Sequence, residues 1–414
     1  MPDTPNAPSP SASAATAVEE PGGPPIPPGS TIGILGGGQL GRMLGFAARE
    51  LGYRVAILDP DPACPARAIA DRQVVAAYDD ARAAVELAAG CAVVTYELEH
   101  VSVDLVDAIA GLVPVRPGAY ALRMTQDRLA ERRFLAGIGA PTAPWREVRS
   151  LELARIGAAE LGFPLRLKAA IGGYDGRSQV RIAGPDGADG IEAGWDALAP
   201  IAERTGLVLE SELDFACELS VIVGRDVTGR AVAFPPTHNR HDVGILVESV
   251  VPAPPPVDGA VADAAIELTE RIALALDLVG TLTAELFLLR DGSLAVNELA
   301  PRVHNSGHWT IEGAATSQFE QHIRAICGLP LGAPDAHGPA AMVNLLGTGP
   351  ARAAHLLGVD GALADPLVHL HVYDKRMVFE RRKMGHLTVV GPSTPDEALG
   401  RARAALAHLA WADE

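Results

Sequence analysis

The stretch TLTAELFLLRDGSLAVNEL, residues 281–299, places two apolar runs on either side of a polar turn. Asp291-Gly292 between such runs is the strongest short signal for a β-hairpin with a two-residue loop. That loop would set Glu285 directly opposite Glu298, with their Cβ atoms ~5 Å apart on one face of the sheet. Like charges in this position destabilise a hairpin, and a divalent cation bound between them removes the conflict.

The oxygen atoms at this hairpin favour a hard cation. Two carboxylates with the neighbouring amide of Asn297 indicate Mg²⁺ most simply. The alternative is a pair of solvated glutamates on an open sheet face. The run Ala300–His308 follows at once and is dense in anion-binding and hydrogen-bonding side chains that packing alone does not require, which favours the metal.

A second candidate site lies at the end of another apolar run. Lys168 follows Pro164–Leu167 and precedes the glycine-rich segment Gly172-Gly173-Tyr174-Asp175-Gly176-Arg177. Amides of such a loop can fold over phosphates, and a strand lysine supplies a point charge. The alternative is an ordinary hairpin loop beside a surface lysine. Together with the paired carboxylates, the segment indicates an ATP-binding site. Its sequence is not a Walker motif, so a P-loop fold is excluded.

The N-terminal glycines fit a dinucleotide fingerprint. Gly36–Gly41 reads G-x-G-x-x-G between a strand and a helix, and Asp59 ends the next strand. On this pattern alone NAD is one possible ligand. Another small anionic ligand at the helix N-terminus and a purely structural turn are the other two.

Composition excludes several functional classes. Lys and Arg number 34 against 51 Asp and Glu, a formal charge of −17, which argues against nucleic-acid or anionic-membrane partners. No apolar run approaches the ~20 residues of a membrane helix. The four cysteines form no C-x-x-C pair and read as reduced thiols. We therefore expect a cytoplasmic protein.

The pattern of elements predicts about three ordered domains. Residues 1–30 hold nine prolines and no aromatic residue, so we expect a disordered extension with order starting at Thr31. Strands and helices alternate over 31–118, which indicates a parallel sheet. Residues 119–330 begin with one predicted helix, 119–136, and are then strand-rich with one further helix near 261–276. A third segment, 331–414, ends in a helix.

A cluster of cations lies near the C-terminus. Lys375, Arg376, Arg381, Arg382 and Lys383 fall within nine residues, with Glu380 among them. In so acidic a chain this cluster predicts a binding site for a second phosphate, distinct from that of ATP. The alternative is a solvated basic strand and turn.

Several motifs occur together in one order: residues 38–43, 96–99, 172–177, 297–310 and 382–386. On these the chain resembles the N5-carboxyaminoimidazole ribonucleotide synthetases, ATP-grasp ligases of purine biosynthesis, from about Ile32 to the C-terminal helix. The resemblance implies an ATP-grasp architecture with an N-terminal Rossmann-like domain and a small β-rich C-terminal domain. It also implies that ATP, bicarbonate and 5-aminoimidazole ribonucleotide are substrates, that Mg²⁺ is the cofactor, and that the assembly is a homodimer.

The resemblance also implies roles for single residues. For ATP it implies Arg128, Lys168, Gly173, Tyr174, Asp175, Gly176, Arg177, Ser178, Gln179, Glu210, Ser211, Glu212, Leu213, Glu218, His241, Asn297 and Glu298. For the metal it implies Glu285 and Glu298. For catalysis it implies Asp175 as proton acceptor and Arg302, His304 and Asn305 as the bicarbonate pocket. For the aminoimidazole ribotide it implies Gln39, Leu40, Tyr174, Lys375 and Arg382, so that the N-terminal glycine loop serves the ribotide rather than NAD.

Two departures from the family pattern stand out. Ser178 replaces a usual glycine of the phosphate loop, and Phe379 stands near the position of an expected arginine, which Arg381 could replace. Three other functions remain open at this point. They are a different ATP-grasp ligase such as the formate-dependent glycinamide ribonucleotide transformylase, an NAD oxidoreductase, and a non-catalytic ATP-binding regulator.

Overall fold

The computed structural model describes residues 23–172 and 178–413. The N-terminal unit is a parallel four-stranded sheet in the order β3-β2-β1-β4, as the alternating pattern predicted. Strands β1, β2 and β4 are mostly apolar and buried because helices cover both faces of the sheet, whereas the edge strand β3 carries Arg72 and Gln73. The elements are β1 (Thr31–Leu35), α1 (Gln39–Glu50), β2 (Arg54–Leu58), β3 (Arg72–Val74), α2 (Ala81–Ala88), β4 (Val93–Tyr96) and α3 (Val103–Ala110).

The chain packs against this unit before Thr31. The Ile26 amide donates to the Cys327 carbonyl at 2.8 Å, and the Tyr53 hydroxyl donates to the Ile26 carbonyl at 2.6 Å. The Gly29 amide donates to the Gly52 carbonyl at 2.8 Å. The expectation of disorder up to residue 30 is therefore wrong for this stretch, which is held by one isoleucine, two main-chain hydrogen bonds and the bond from the Tyr53 hydroxyl. Residues 1–22 lie outside the described residues, so that part stays a prediction.

The predicted helix 119–136 is two helices. They are α4 (Ala119–Gln126) and α5 (Arg128–Gly137). Asp127 between them has an extended backbone, and its carboxylate accepts the Leu129 amide at 2.8 Å, so it acts as the N-cap of α5. The Arg128 amide donates to the Ala170 carbonyl at 2.9 Å, which brings the start of α5 to the base of the glycine-rich loop.

A small antiparallel sheet in the order β5-β8-β6-β7 follows, with two helices on it. Its elements are β5 (Trp145–Val148), α6 (Leu151–Leu161), β6 (Leu165–Ala169), β7 (Gln179–Ile182), α7 (Ile191–Thr205) and β8 (Leu207–Ser211). The sequence reading missed both helices. They are rich in Ala and contain Gly157, Gly194 and Pro200, so their apolar periodicity is weak. Both glycines lie where a Cβ would come within 3.2 Å of a sheet side chain.

The large sheet has the order β14-β13-β9-β11-β12-β15-β20-β18, with β10 beside β9. Its core joins α8 to the central strands, for example Leu268 and Ile272 to Val221 and Leu286. The elements of this region before the C-terminal segment are β9 (Phe215–Arg225), β10 (Ala231–Ala233), β11 (Thr237–Asp242), β12 (Ile245–Val251), α8 (Gly259–Ala275), β13 (Gly280–Leu289), β14 (Leu294–Ala300), α9 (Thr310–Gly313) and α10 (Gln318–Ile326).

The C-terminal segment extends this same sheet, and it also forms two small two-stranded sheets of its own. Strand β15 pairs with β12 and β20, and β20 pairs with β18. Thr394 caps α12, whose first residue is Pro395. The elements are β15 (Ala340–Leu346), β16 (Arg352–Ala353), β17 (Leu356–Leu357), α11 (Val359–Ala362), β18 (Val368–Val372), β19 (Met377–Val378), β20 (Lys383–Val390), α12 (Pro395–Leu406) and β21 (Ala410–Trp411).

Two further predictions can be compared with the fold. Cys64, Cys91, Cys217 and Cys327 form no disulfide, and three of them are buried. Within residues 23–172 and 178–413, no helix combines the length and the apolar character that crossing a lipid bilayer requires.

Candidate active site

A cleft of about 770 Å³ lies where the parts of the chain meet. The N-terminal unit contributes Gln39 and Leu40, the small sheet contributes Lys168, and the large sheet contributes Glu285 and Glu298. The C-terminal segment contributes Lys383. The cleft therefore brings together residues that are more than 300 positions apart in the sequence.

The carboxylate pair has the predicted register, but for a different reason. Near the turn Phe287 pairs with Ala295, and the Gly292 amide donates to the Leu289 carbonyl at 3.0 Å, so the loop has three residues rather than two. A β-bulge at Asn297 then shifts the ladder by one residue and sets Glu285 opposite Glu298. The two differences cancel.

The neighbours of these two carboxylates differ. Burial, and then the charge of Glu298, raise the pKa of the Glu285 carboxyl above its usual range. Burial acts in the same direction on Glu298, but Arg128 at 3.2 Å and Lys168 outweigh it and hold the pKa of that carboxyl low. Glu298 is therefore anionic and faces Glu285, whose ionised form is disfavoured. A cation bound between the two carboxylates would stabilise this arrangement. Among the described residues no group of three or more His, Cys, Asp or Glu side chains converges as a complete metal cage.

Lys168 belongs to a buried chain of charges. Its ammonium lies 2.7 Å from Glu210 Oε2, and Arg132 Nε donates to Glu210 Oε1 at 2.7 Å. Burial would raise the pKa of Glu210, but the two cations hold it at about 2. Burial lowers the pKa of Lys168. Glu210 is thus committed to ion pairs, and its side chain is placed to orient Lys168.

Helix α5 extends this chain of charges to the carboxylate hairpin. Arg132 donates to Glu131 Oε1 and to the Asn297 carbonyl, both at 2.7 Å. Glu131 Oε2 accepts the Leu299 amide at 2.8 Å. Burial raises the pKa of Glu131 to about 7, against the lowering effect of Arg132. The small sheet and the bulged strand β14 are therefore joined through one buried arginine.

The segment Glu210–Leu213 runs along the cleft. The Ser211 and Glu212 amides donate to the carbonyls of Pro144 and Pro164. Arg166 and Arg181 bind the two oxygens of the Glu212 carboxylate, each at 2.6 Å. Of the amides of Ser211, Glu212 and Leu213, only that of Leu213 makes no bond to a main-chain carbonyl among the described residues.

Glu218 and His241 form a pair on neighbouring strands. Glu218 Oε2 lies 2.7 Å from His241 Nδ1, and His241 Nε2 lies 4.0 Å from Glu285 Oε1. Burial lowers the pKa of His241, but its hydrogen bond to Glu218 and the charge of Glu285 outweigh burial and raise the pKa overall. The pair continues the line of alternating charges along the floor of the cleft.

Arg302, His304 and Asn305 enter the cleft on the segment that follows β14. Arg302 Nη2 lies 2.8 Å from Glu99 Oε1, and His304 Nε2 lies 3.4 Å from Glu285 Oε1. The side-chain amide of Asn305 exchanges hydrogen bonds of 3.1 and 2.7 Å with that of Asn344. Asn305 is therefore held in a buried amide pair at the edge of the cleft.

The predicted phosphate loop is described only at its ends. Gly173, Tyr174, Asp175, Gly176 and Arg177 lie outside the described residues. Gly172, Ser178 and Gln179 line the cleft beside Lys168, and the Ala169 amide donates to the Ser178 carbonyl at 2.9 Å. The strand lysine thus stands at the base of this loop, as the sequence indicated.

The N-terminal glycine loop already holds anions of its own. The Gly38 and Gly41 amides donate to the two oxygens of the Glu97 carboxylate at 2.8 and 2.9 Å, and the Gly37 amide donates to Asp59 at 2.7 Å. A Cβ at Gly36 would lie 2.4 Å from Glu97 Cγ, so glycine is required by this close approach. Buried carboxylates occupy the amides that a dinucleotide would need, which explains why the fingerprint is misleading.

The basic cluster divides between several partners. Lys375 Nζ donates to Gln39 Oε1 and, at 2.7 Å, to the Lys383 carbonyl. Arg382 donates to the Met377 carbonyl at 2.7 Å, lies over the Phe379 ring and is not among the residues that line the cleft. Arg381 binds Asp242 through both its carboxylate and its carbonyl.

Sequence reasoning did not assign Glu131 or Arg132 to the site, and it named Lys383 only as a member of the basic cluster. A signal existed for Arg132, which is three residues from both Leu129 and Leu135 and so shares their buried helix face. For Glu131 no local pattern separates a cleft residue from a solvated charge.

Three family descriptions match consecutive parts of the chain. Residues 30–126 match the ribonucleotide synthetase preATP-grasp domain, and residues 133–319 match the ATP-grasp domain. Residues 340–399 match the phosphoribosylaminoimidazole carboxylase C-terminal domain. These matches support the fold class that the motifs predicted.

Two relatives cover almost the whole chain. The N5-carboxyaminoimidazole ribonucleotide synthase of Brucella melitensis is 45% identical over 369 residues, covering 89% of this chain and 98% of the relative. The protein of the same name from Bacillus subtilis is 40% identical over 363 residues, covering 88% and 92%.

Solved structures show the same architecture. The N5-carboxyaminoimidazole ribonucleotide synthetase of Thermotoga maritima has a TM-score of 0.82 at 36% identity, covering 93% of this chain and 100% of its own. The N5-carboxyaminoimidazole synthase of Aspergillus clavatus, in complex with ADP and 5-aminoimidazole ribonucleotide, has a TM-score of 0.81 at 32% identity, covering 92% and 98%.

Proposed function

The chain belongs to the N5-carboxyaminoimidazole ribonucleotide synthase family, and we propose that its cleft carries out the reaction of that family. It is an ATP-grasp ligase: ATP, bicarbonate and 5-aminoimidazole ribonucleotide give N5-carboxyaminoimidazole ribonucleotide, ADP and phosphate. The observation that carries this proposal is that one cleft collects Lys168, the Glu285–Glu298 pair and the Arg302–Asn305 segment. Lys168 comes from the strand before the glycine-rich loop, and the other two groups come from the carboxylate hairpin and the segment that directly follows it.

The first step to explain is the transfer of a phosphoryl group. Arg128 and Lys168 stand on the side of the cleft that carries the described ends of the phosphate loop, where cationic donors stabilise phosphate charge. The buried ion pair with Glu210 fixes the position of Lys168. Gly173–Arg177, which we expect to cover the phosphates, stays a prediction.

The carboxylate pair fits Mg²⁺. This ion is usually held by one or two carboxylates, with substrate phosphates and waters completing its shell, so a full protein cage is not required. Glu285 and Glu298 are the residues that would hold it, because the bulge at Asn297 sets them opposite each other. When bound, the ion neutralises charge on the transferring phosphoryl group.

The adenosine end of the nucleotide fits the segment beyond Glu210. The Leu213 amide is positioned to donate to the adenine edge, since the Ser211 and Glu212 amides are already used. Glu218 also lines the cleft, and its carboxylate can accept hydrogen bonds from the ribose hydroxyls. One of its oxygens, Oε2, is already bonded to His241. Asn297 and Gln179 line the same part of the cleft.

The acceptor substrate fits the opposite end of the cleft. Gln39 and Leu40 come from the glycine loop, and Lys375 reaches Gln39 from the C-terminal segment. Lys383 lines the cleft directly, so we assign the ribotide phosphate to Lys375 and Lys383, with Arg382 behind them. Arg381 does not replace the arginine missing near Phe379, because it is bound to Asp242.

The remaining roles follow from chemistry. Arg302 and His304 face the space beside Glu285, where bicarbonate and the carboxyphosphate formed from it would lie. Asp175 remains the proposed proton acceptor for the amine. A homodimer and a cytoplasmic location are further expectations of the family.

Release of ADP tests the proposal directly. We expect release from ATP only when bicarbonate and 5-aminoimidazole ribonucleotide are both present at saturation, with the carboxylated ribotide formed in equal amount. Replacing bicarbonate by formate and the ribotide by glycinamide ribonucleotide is the control for the other ATP-grasp reaction. Release that ignores the aminoimidazole ribotide, or that requires formate, would contradict the assignment.

A further inference from the structure

A buried chain of hydrogen bonds ends at the ring of His304. Ser249 Oγ lies 2.8 Å from Asn239 Oδ1, and Asn239 Nδ2 lies 2.9 Å from Ser220 Oγ. Ser220 Oγ lies 2.7 Å from Ser306 Oγ, which in turn lies 2.9 Å from His304 Nδ1. The four residues that lead to His304 are at most 3% exposed, so bulk water does not compete for these bonds.

The direction of the chain is fixed at the histidine. The main-chain amide of Ser306 points at His304 Nδ1 from 3.3 Å. A main-chain N–H can only donate, so Nδ1 must present its lone pair. A neutral imidazole carries one ring hydrogen, which therefore lies on Nε2. The Ser306 hydroxyl must likewise donate to Nδ1.

The rest of the chain then has one arrangement. Because Ser306 spends its hydrogen on the ring, its oxygen accepts from Ser220, and Ser220 accepts from the Asn239 amide. The Asn239 oxygen accepts from Ser249. The reversed chain would need a hydrogen on Nδ1, which would then face the N–H of Ser306.

The backbone of His304 is held separately from its ring. The His304 amide donates to Gln318 Oε1 at 2.9 Å, and Gln318 Nε2 donates to the His304 carbonyl at 2.6 Å. Gln318 is fully buried. With ring and backbone both fixed, Nε2 lies 3.4 Å from Glu285 Oε1 at the wall of the cleft. The Ser306 N–H directed at Nδ1 leaves no room for a hydrogen there, so the ring carries one hydrogen only and is neutral.

We propose that Ser306, Ser220 and Asn239 are positioning residues that hold His304 as a hydrogen-bond donor, with Nε2–H directed toward the bicarbonate-derived oxyanion. This inference rests on the proposed function. It also has a chemical consequence: the ring lone pair points away from the cleft, so His304 is not the base that removes the amine proton. A fixed donor in a buried site is an effective way to stabilise developing negative charge.

The ring tautomer can be measured without any turnover. In full-length protein labelled with ¹⁵N at its 12 histidines, long-range ¹H–¹⁵N spectra at alkaline pH report both ring nitrogens. Loss of signals in H304Q assigns His304. We expect a protonated Nε2 and an unprotonated Nδ1. S306A removes the shorter bond to Nδ1, that of the Ser306 hydroxyl, and keeps the main-chain N–H, so both nitrogen signals should shift part of the way toward the averaged values of an exchanging imidazole. A wild-type ring protonated at Nδ1 overturns the proposal, whatever reaction the enzyme catalyses.

Kinetics of the same variants give the second readout. S306A should lower kcat by about 10- to 100-fold while KM for ATP changes little, since one oriented donor is lost. S220A leaves Ser306 in place and should shift the ring signals in the same direction. It replaces S306A in the test if S306A does not fold. T283V is the matched control, because the buried Thr283 hydroxyl has no partner among the described residues, and it should leave kcat unchanged. Unchanged ring signals in folded S306A would overturn the proposal even if kcat falls.

Discussion

Glu285 and Glu298 show how neighbours give two identical side chains different properties. They are opposed on paired strands, yet the pKa of Glu285 is raised while that of Glu298 is lowered. The difference comes from Arg128 and Lys168, whose charges lower the pKa of Glu298. At Glu285, burial and the like charge of Glu298 disfavour the ionised form and outweigh the opposite effects of His241 and Lys383. This conflict costs stability in the absence of a cation, which is typical of a site built to bind one.

The first prediction concerns this pair. Glu285→Gln and Glu298→Gln should each lower turnover by at least ~10²-fold, because a mispositioned metal loses several kcal/mol of transition-state stabilisation. The Glu285→Gln protein without metal should be no less stable than wild type, since a buried like-charge contact is removed. Steady-state kinetics over a range of Mg²⁺ concentrations and denaturant unfolding measure the two effects.

Asp291→Asn in the turn of the same hairpin is the control. Among the residues that the structure describes, the Asp291 side chain is hydrogen-bonded to Ser293 alone, so turnover should be unchanged. Near-normal turnover of both glutamine variants at low Mg²⁺ would contradict the assignment of the hairpin as the metal site.

The second prediction concerns strain at the rim of the cleft. Val243 has φ of +47° in the two-residue turn between β11 and β12 and is 79% exposed. A β-branched residue in this left-handed region costs roughly 1–2 kcal/mol, whereas Asn accepts it readily. Val243→Asn should therefore raise the free energy of unfolding by about 1 kcal/mol, measured by denaturant unfolding. Val243→Ala, which keeps a Cβ and gains no polar stabilisation, should gain much less. An Asn variant no more stable than wild type would show that the turn is unstrained.

At the scale of elements, the carboxylate hairpin shows what a sequence can and cannot specify. The Asp-Gly signal located the turn, and the apolar runs located β13 and β14. The loop length and the bulge at Asn297 were not visible, because the bulge is held by Arg132 from helix α5, and Arg132 is 165 positions away. The predicted pairing of Glu285 with Glu298 was correct only because the two errors were equal and opposite.

Glu248 links two strands of the large sheet, β11 and β12, to helix α12, which packs on the sheet. It lies on β12, and its carboxylate accepts from Arg240 on β11 at 2.8 Å and from Arg403 on α12 at 2.8 and 2.6 Å. Burial would raise its pKa, but the two arginines hold it at about 2, below the ordinary value of 4.5. A carboxyl with a lowered folded-state pKa stabilises the fold above its unfolded pKa and loses that effect as the pH falls.

The third prediction follows from that sign. Glu248→Gln should lower the free energy of unfolding at neutral pH, and the difference from wild type should shrink between pH 4.5 and about 2, where the wild-type carboxyl takes up its proton. Denaturant unfolding of both proteins across this range measures the difference. Glu397→Gln, which removes a surface pair with Arg401, should change stability little at any pH. A difference for Glu248→Gln that stays constant with pH would contradict the role of its charge.

At the scale of the whole molecule, local patterns predicted the fold class and most of the strands. The motifs also led to the correct family and reaction, which the relatives support. Three things were not predictable locally. Helices α6 and α7 have weak periodicity, β15 continues a sheet begun by β9, and Lys383 reaches the cleft from the far end of the chain. Each depends on contacts between segments that are distant in sequence.

The residues before β1 show the same limitation. Ile26 packs against a core that contains Met43 and Leu44 of α1 together with Ile323 and Ile326 of α10. Its amide bonds to Cys327 and its carbonyl to the Tyr53 hydroxyl. This short segment therefore holds the N-terminal unit against α10, the helix that ends the ATP-grasp region.

The last prediction separates this segment from the residues before it. Deleting residues 1–22 should leave stability and turnover unchanged, because their composition cannot bury much apolar surface. Deleting residues 1–30 removes one partly buried isoleucine, worth about 1 kcal/mol, and four hydrogen bonds to the rest of the chain at ~0.5–1.5 kcal/mol each, so the free energy of unfolding should fall by roughly 3–7 kcal/mol. Denaturant unfolding of the two truncations and the full chain measures this. Ile26→Ala in the full chain should reproduce only the side-chain part of the loss. If both truncations are as stable as the full chain, residues 23–30 do not hold the two units together. If deleting residues 1–22 already lowers the free energy of unfolding, those residues pack against the rest of the protein after all.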